Sequence, residues 1–423
     1  MILTSLIDVA TVKPAVEAAD IFRLYFADYL KAYHCTPEEF AAVDAIIACR
    51  TAAAGGSIRQ CDQCGKFQIS YCSCGNRNCP KCGAFAKAQW LAQQEARLLP
   101  VPHFQVVFTL DHLLNDLAYV NPKAIYDLLF ATANGVLKEF AQRYLGGKVG
   151  VTAVLHTWGQ TVQHHIHLHC MVTGGALVST ADGYRWQKAT PGFLFPAIEL
   201  SAAFRAAFCQ GLRRLAKRGE LRLVGPCADL DLEKLVQTIE GKAWELFVGK
   251  PPKDAQMVDL LGYFSRYVYR TAITNQRLLK VERDKVTFEY YDNHEKVVMP
   301  NGQAKGQKKI MTLSAIEFIR RFLRHVLPFA YHRVRHFGLY AGRRLWLQAV
   351  RLLLGAPVDF TPQAPPKLEM GEWLATLGLA DVLRCPFCGE GALHVIADFA
   401  PLRFWHFWLL LWLGVPIFGK EAL

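Results

Sequence analysis

The chain has 423 residues, enough for roughly three domains, or two with elaborations, around a sizeable core. Its 48 Lys and Arg against 36 Asp and Glu give a formal net charge of +12 and a pI near 9.1, which points to a polyanionic partner. The start, Met1-Ile2-Leu3-Thr4-Ser5-Leu6-Ile7-Asp8, lacks a basic run followed by a long apolar stretch, so a secretory signal is not expected. In the reducing cytosol that this implies, thirteen cysteines are better explained by metal binding than by disulfides.

Residues 1 to about 55 carry helical apolar spacing, through Ile21-Phe22-Arg23-Leu24-Tyr25-Phe26 and Ala41 to Ala54, broken by Gly55-Gly56. Then Cys61-x-x-Cys64 and Cys79-x-x-Cys82 follow, fourteen residues apart. That is the two-knuckle spacing of a four-thiolate structural zinc site. Cys72 and Cys74 lie between the knuckles, with Cys74 a candidate to replace one of the four or to bind a second ion. Arg59, Lys66, Arg77, Lys81 and Lys87 surround the site, so the module could bind DNA as well as fold around metal.

Past Pro100 and Pro102, His103 to Leu110 reads as a strand, and Pro122 to Leu145 as a long helix with proline in its first turn. Val149 to Trp158 is the next strand. The short connection Gly159-Gln160-Thr161-Val162-Gln163 leads to His164-His165-Ile166-His167-Leu168-His169-Cys170, so an antiparallel hairpin in mid-sheet is expected. Alternate side chains of an extended strand share a face, which presents His165, His167 and His169 together. Two neutral imidazoles two residues apart are half of a divalent metal site. First and third members of the row sit roughly 13 Å apart, too far to converge. The geometry therefore leaves two pairs open, His165 with His167 or His167 with His169.

After Gly174-Gly175 come a polar hairpin, a basic helix around Phe204 to Arg218 and a helix from Leu232 to Val248. Asp259 to Arg270 has helical apolar spacing, which puts Tyr263 and Tyr267 on one face with Asp259 and Arg270 close by. Two phenols beside a guanidinium suit phosphate chemistry, because a tyrosine can attack a phosphodiester only if the developing phosphoryl charge is balanced. Val286 to Tyr291 and Lys309 to Leu313 read as strands. Ser314 opens another helix, with Glu317 at capping-box distance.

The run from Tyr331 to Trp346 interleaves basic and aromatic residues, with Arg333, Arg335, Arg343 and Arg344 as candidate DNA contacts. Such interleaving favours nucleic acid over a membrane surface. Cys385-Pro386-Phe387-Cys388-Gly389 is a lone knuckle without evident partners, either half of a second zinc site or a reduced structural pair. Phe404 to Phe418 is apolar and rich in tryptophan but short for a membrane span, so it reads as a docked segment or an interaction patch. Strands and helices alternate without a Gly-rich phosphate loop, so no nucleotide cofactor is expected and an α+β core with a helical C-terminal region fits best.

Several stretches together resemble the two-tyrosine rolling-circle transposases of the insertion sequence ninety-one family, within the HUH endonucleases. They are RTAAAGGSIRQCDQCG and NRNCPKCG in the zinc region, VLHTWGQTVQHHIHLHCMVTGGAL around the histidines and YFSRYVYRTAITNQRLL around the tyrosines, with MTLSAIEFIRRFLRHVLP and HRVRHFGLYAGR beyond. The resemblance spans roughly residues 40 to 345. It departs from the family pattern at Asn78, where a histidine often precedes the third cysteine, and at Ile166, where proline is common.

The resemblance implies an N-terminal helical region (1–60), a zinc-binding module (61–100), an HUH tyrosine nuclease core of antiparallel sheet and flanking helices (101–295), a basic helical DNA-binding region (296–370) and a tail (371–423). It selects His167 and His169 as ligands of a catalytic Mg2+ or Mn2+, with Gln160 and His156 as candidate third ligands. Tyr263 and Tyr267 become the nucleophiles, with Arg266, Arg270 and Arg277 as DNA contacts. Single-stranded DNA of the transposon ends and target DNA are the implied partners, in the bacterial cytoplasm at the nucleoid, with self-association compatible with the scheme. Rival readings are a replication initiator or relaxase of the same chemistry, and a non-enzymatic zinc-dependent DNA-binding protein.

Overall fold

The computed structural model describes residues 14–83, 90, 94, 97–249, 251, 271–298, 304–341, 344–357 and 384–401. The chain forms two compact units that do not follow the contiguous boundaries expected from the sequence. One draws on stretches within 1–86, 273–320 and 367–423, and the other on 87–272 and 321–366. The difference arises because strand pairing joins residues more than 300 positions apart.

The second unit is built on a five-stranded antiparallel sheet, in the order Val334–Gly338, Gly150–Trp158, His164–Thr173, His103–Thr109, Leu246–Gly249. The histidine strand is therefore the middle one, as the hairpin reading requires. Its even-numbered side chains, Ile166, Leu168, Cys170 and Val172, join Val151, Ala153, Leu155, Phe104, Val106 and Phe108 on one face. That face packs beneath the helices Pro122–Leu145 and Ala197–Lys217, with Phe108 and Phe204 ring centroids 4.7 Å apart. Each fully buried Leu or Phe there contributes about 1.5–3 kcal/mol. The odd-numbered side chains are left for the opposite face, which carries the candidate site.

Two expectations need correction here. The helix expected to run from Leu232 to Val248 stops at Glu240, and Leu246–Gly249 is an edge strand instead. Gly241 ends the helix, and the buried Trp244 donates from Nε1 to the Ile239 carbonyl at 2.8 Å, turning the chain back to the sheet. The basic stretch is likewise not purely helical. Val334–Gly338 alternates sides as an edge strand, with His336 bonded to Thr152 at 3.0 Å and the Arg335 guanidinium 4.2 Å from the Phe130 ring on the other side.

The first unit opens with the helices Ala18–Ala32 and Pro37–Ala48. The second of these has a complete capping box, Thr36 Oγ1 accepting from the Glu39 amide and Glu39 Oε2 accepting from the Thr36 amide. A three-stranded sheet follows, in the order Leu393–Phe399, Gly56–Cys61, Phe67–Tyr71. Gly56 sits where a Cβ would lie 2.5 Å from the Ser70 carbonyl oxygen and 2.7 Å from the Phe399 ring, so only glycine lets the three strands close. A second sheet pairs Lys285–Val298 with both Leu278–Glu282 and Ala304–Ser314, longer strands than the sequence suggested. Ser314 Oγ then accepts from the Glu317 amide at 3.2 Å, starting the helix Ala315–Leu323 as expected.

Candidate functional site

On the sheet face opposite the helices, His156 lies directly across from His167, and His169 follows two residues on. Their ring centroids are 5.2 Å apart for His156 and His167, 4.8 Å for His156 and His169, and 4.8 Å for His167 and His169. One nitrogen from each lies within 4.8 Å of the others, close enough for a shared ion. Of the two pairs that strand spacing leaves open, the structure groups His167 with His169, and it supplies His156 as the third member. Gln160 sits on the turn between the two histidine strands, partly buried.

Hydrogen bonds orient two of these rings. His167 Nδ1 lies 2.9 Å from the His165 carbonyl, which can only accept, so Nδ1 carries the proton and Nε2 keeps its lone pair. His169 Nδ1 accepts from the Gln105 amide nitrogen Nε2 at 3.0 Å, which fixes the orientation of that ring. His156 stacks on Trp158 at 4.6 Å with an interplanar angle of 19°. His156 is 3% exposed and His169 7% exposed, so both rings are held in a largely water-free setting. His165 points along the same row but stacks on His112 instead, 5.2 Å away.

The turn that aligns the two strands is braced from below. Val162, fully buried, has φ of 60°, a region that a β-branched side chain enters only at a cost of about 1–3 kcal/mol. His325 offsets it, donating from Nε2 to the Val162 carbonyl at 2.9 Å while Nδ1 accepts from the Thr157 hydroxyl at 3.2 Å. Arg321 adds a bond to the Thr161 carbonyl at 3.2 Å. Burial pushes His325 down to about 4, and the same cause holds His103 and His336 at about 4. Each folded imidazole refuses a proton that its unfolded counterpart, with the ordinary value of 6.5, takes up. Stability is therefore fully present above pH 6.5 and falls as pH drops toward 4. Thermal melting across that window should show the decline, and His325→Gln, which keeps hydrogen bonds but does not titrate, should flatten part of it.

Eight of the thirteen cysteines fall into two groups of four, where the sequence pointed to one set and left a second open at Cys385 and Cys388. Cys79 and Cys82 assemble with Cys74 and Cys49, while Cys61 and Cys64 assemble with Cys385 and Cys388. The expected set of Cys61, Cys64, Cys79 and Cys82 is thus divided, and Cys74 stands in the group with Cys79 and Cys82. In the first group Cys82 Sγ lies 3.4 Å from Cys49 Sγ and 3.6 Å from Cys74 Sγ. Zinc–sulfur bonds of about 2.3 Å in a tetrahedron place sulfurs about 3.8 Å apart, so the cradle has the size of a zinc site. Thiol hydrogen bonds from Cys49, Cys74 and Cys79 hold Cys82 far below the usual thiol range. Cys49 was missed because it belongs to no CxxC; its position is set by the end of the helix Pro37–Ala48. Cys72 is exposed and stands in neither group.

Tyr263, Tyr267, Arg266, Arg270 and Arg343 lie outside the described residues, as do the side chain of Arg344 and the apolar stretch 404–418. Of the other arginines expected on DNA, Arg335 pairs with Asp127 at 2.5 Å and stacks over Phe130 and Tyr331, and Arg277 donates to the Glu289 carbonyl at 2.7 Å. Both charges are engaged within the fold. Arg333 is half-buried at the start of the edge strand, its carbonyl accepting from the Leu155 amide at 2.8 Å. No helix among the described residues is long and apolar enough to cross a membrane.

Residues 21–110 match the family described as "Transposase zinc-binding domain", a range that contains all of Cys49, Cys74, Cys79 and Cys82, and residues 150–345 match "Putative transposase". The chain is 37% identical over 403 residues to the "Putative transposase y4qJ" of Sinorhizobium fredii, covering 92% of this chain and 98% of that one. It is 26% identical over 373 residues to the transposase for insertion sequence element IS801 of Pseudomonas savastanoi pv. phaseolicola, covering 85% and 84%. No solved structure matches it. A cysteine cradle of zinc size inside the zinc-binding match, and a relative this similar along nearly its whole length, place the chain among the transposases of the insertion sequence ninety-one family, enzymes that cleave DNA.

Proposed function

We propose that this transposase nicks single-stranded DNA at the ends of its element through a 5'-phosphotyrosine and rejoins the strand by a rolling-circle route. The observation that carries the reading is the convergence of His156, His167 and His169 on adjoining strands at the centre of a rigid sheet. These three imidazoles would hold a divalent ion. Their nitrogen-rich donor set fits Mn2+ better than Mg2+, which prefers oxygen ligands. Bound there, the ion would draw charge from the non-bridging oxygens of the scissile phosphate.

The protein's own groups supply the rest. A phenol oxygen of Tyr263 or Tyr267 attacks phosphorus, the bond to the 3' oxygen breaks, and that oxygen leaves as a hydroxyl after gaining a proton. The phosphodiester energy stays in the tyrosyl linkage, so no nucleotide is consumed. Strand transfer is the reverse, a 3'-hydroxyl attacking the phosphotyrosine. The four-residue spacing of the tyrosines, with Arg266 and Arg270 between and beside them, supports two DNA ends being held on one helix face. The net charge of +12 supports phosphate binding along the strand.

The test is a nicking assay on oligonucleotides carrying the element's ends. With Mn2+ or Mg2+ present, the single-stranded form should be cut at one position and the matching duplex left intact. Equal cutting of both forms, or cutting that persists in excess chelator, would remove the proposed chemistry.

A further inference from the structure

We propose that the chain holds a second structural zinc, bound by Cys61 and Cys64 from its N-terminal part and by Cys385 and Cys388 from its C-terminal part. The zinc-binding match ends at residue 110 and the transposase match at 345, so half of this donor set lies beyond both. The proposal does not depend on the nuclease chemistry above. It rests on the geometry of two knuckles brought face to face by strand pairing.

Cys61 Sγ lies 3.8 Å from Cys388 Sγ, and Cys64 Sγ lies 3.6 Å from Cys385 Sγ. All four sulfurs lie within 4.8 Å of one another. These separations bracket the edge of about 3.8 Å expected for a zinc tetrathiolate and far exceed a disulfide bond of about 2.05 Å. The amides of Gln63 and Cys64 point at Cys61 Sγ, that of Phe387 at Cys385 Sγ and that of Gly391 at Cys388 Sγ, each at 3.4 Å. Donors aimed at sulfur suit thiolates whose charge a dication shares. Gly65 and Gly389, which follow the second cysteine of each knuckle, have φ of 65° and 75° and close the turns in the left-handed region.

The frame around the four sulfurs is built by other contacts. The strands Gly56–Cys61 and Leu393–Phe399 pair antiparallel, with Cys61 opposite Leu393. Asp62 accepts from the Ala392 amide at 2.9 Å, which ties one knuckle to the strand leaving the other. A Cβ on Gly391 would stand 2.4 Å from Cys61 Sγ, so the second knuckle is shaped to leave room for the first. Because 321 positions separate Cys64 from Cys385, the clip removes more freedom from the unfolded chain than a local knuckle can. Two sulfur ligands, on Cys64 and Cys388, are on exposed residues, which leaves this ion open to chelators.

Metal analysis of the full-length protein tests the proposal. The parent chain should carry two zinc ions, the Cys385→Ser/Cys388→Ser double variant one, and Cys72→Ser two. One zinc in the parent, or two retained in the double variant, overturns it. If the double variant does not fold, cobalt titration of the metal-stripped parent decides: thiolate-to-cobalt absorption should rise through two equivalents, and saturation at one overturns the second site.

Discussion

The Tyr263→Phe/Tyr267→Phe double variant is expected to form no covalent adduct with DNA while still folding and binding it. Phenylalanine keeps the ring and its packing and removes only the nucleophilic oxygen, so it separates chemistry from stability better than alanine does. Each single variant should fail in complete transposition, since one tyrosine alone cannot hold two ends, although one of them should still nick. Tyr269, which helical spacing would set off the face shared by the pair, should be dispensable. Denaturing gels of the protein incubated with labelled single strands read adduct formation and nicking in all four variants, and a transposition assay reads the rest. An adduct that survives in the double variant would take this pair out of the mechanism.

His167→Ala and His169→Ala are expected to reduce metal-dependent nicking by at least about 100-fold, the rate equivalent of losing roughly 3 kcal/mol of transition-state stabilisation. Both rings sit in the three-histidine group, so each loss removes one of its three nitrogen donors. DNA affinity should change little, because it comes from many Lys and Arg contacts spread along the strand. Cleavage rates and fluorescence anisotropy on one oligonucleotide separate the two effects. If His169→Ala cleaves at the parental rate, the ligand pair reverts to His165 with His167.

Local patterning made much of the second unit readable from residues alone. The helix Pro122–Leu145 begins at its proline and ends at Gly146, which has φ of 67°, the cap that glycine provides. The histidine strand was legible because alternation assigns faces without any knowledge of its neighbours. His156 became a ligand candidate once the short turn implied a hairpin, and the register that sets it opposite His167 is fixed by that same turn.

The cysteine partition was not legible in the same way, because proximity in sequence favours pairing Cys61-x-x-Cys64 with the nearest knuckle. Strand pairing between residues 56–61 and 393–399 overrides proximity, and nothing in either segment alone specifies that partner. A signal was nonetheless present. Three knuckles end in CxxC-Gly, at Gly65, Gly83 and Gly389, and two further cysteines, Cys49 and Cys74, make the count divisible into two sets of four. The partner of Arg335 was not legible for a related reason: Asp127, with which it pairs, comes from a helix some two hundred residues earlier.

Mapping the covalent linkage in the parent protein tests the central claim most directly. After incubation with single-stranded end DNA and Mn2+, nuclease trimming and tryptic digestion, mass spectrometry should find a nucleotide joined through its 5' phosphate to the peptide bearing Tyr263 and Tyr267, with fragmentation placing it on one of those two rings. A linkage on Tyr269 or any other residue, or cleavage that leaves no protein-bound 5' phosphate, would contradict the account.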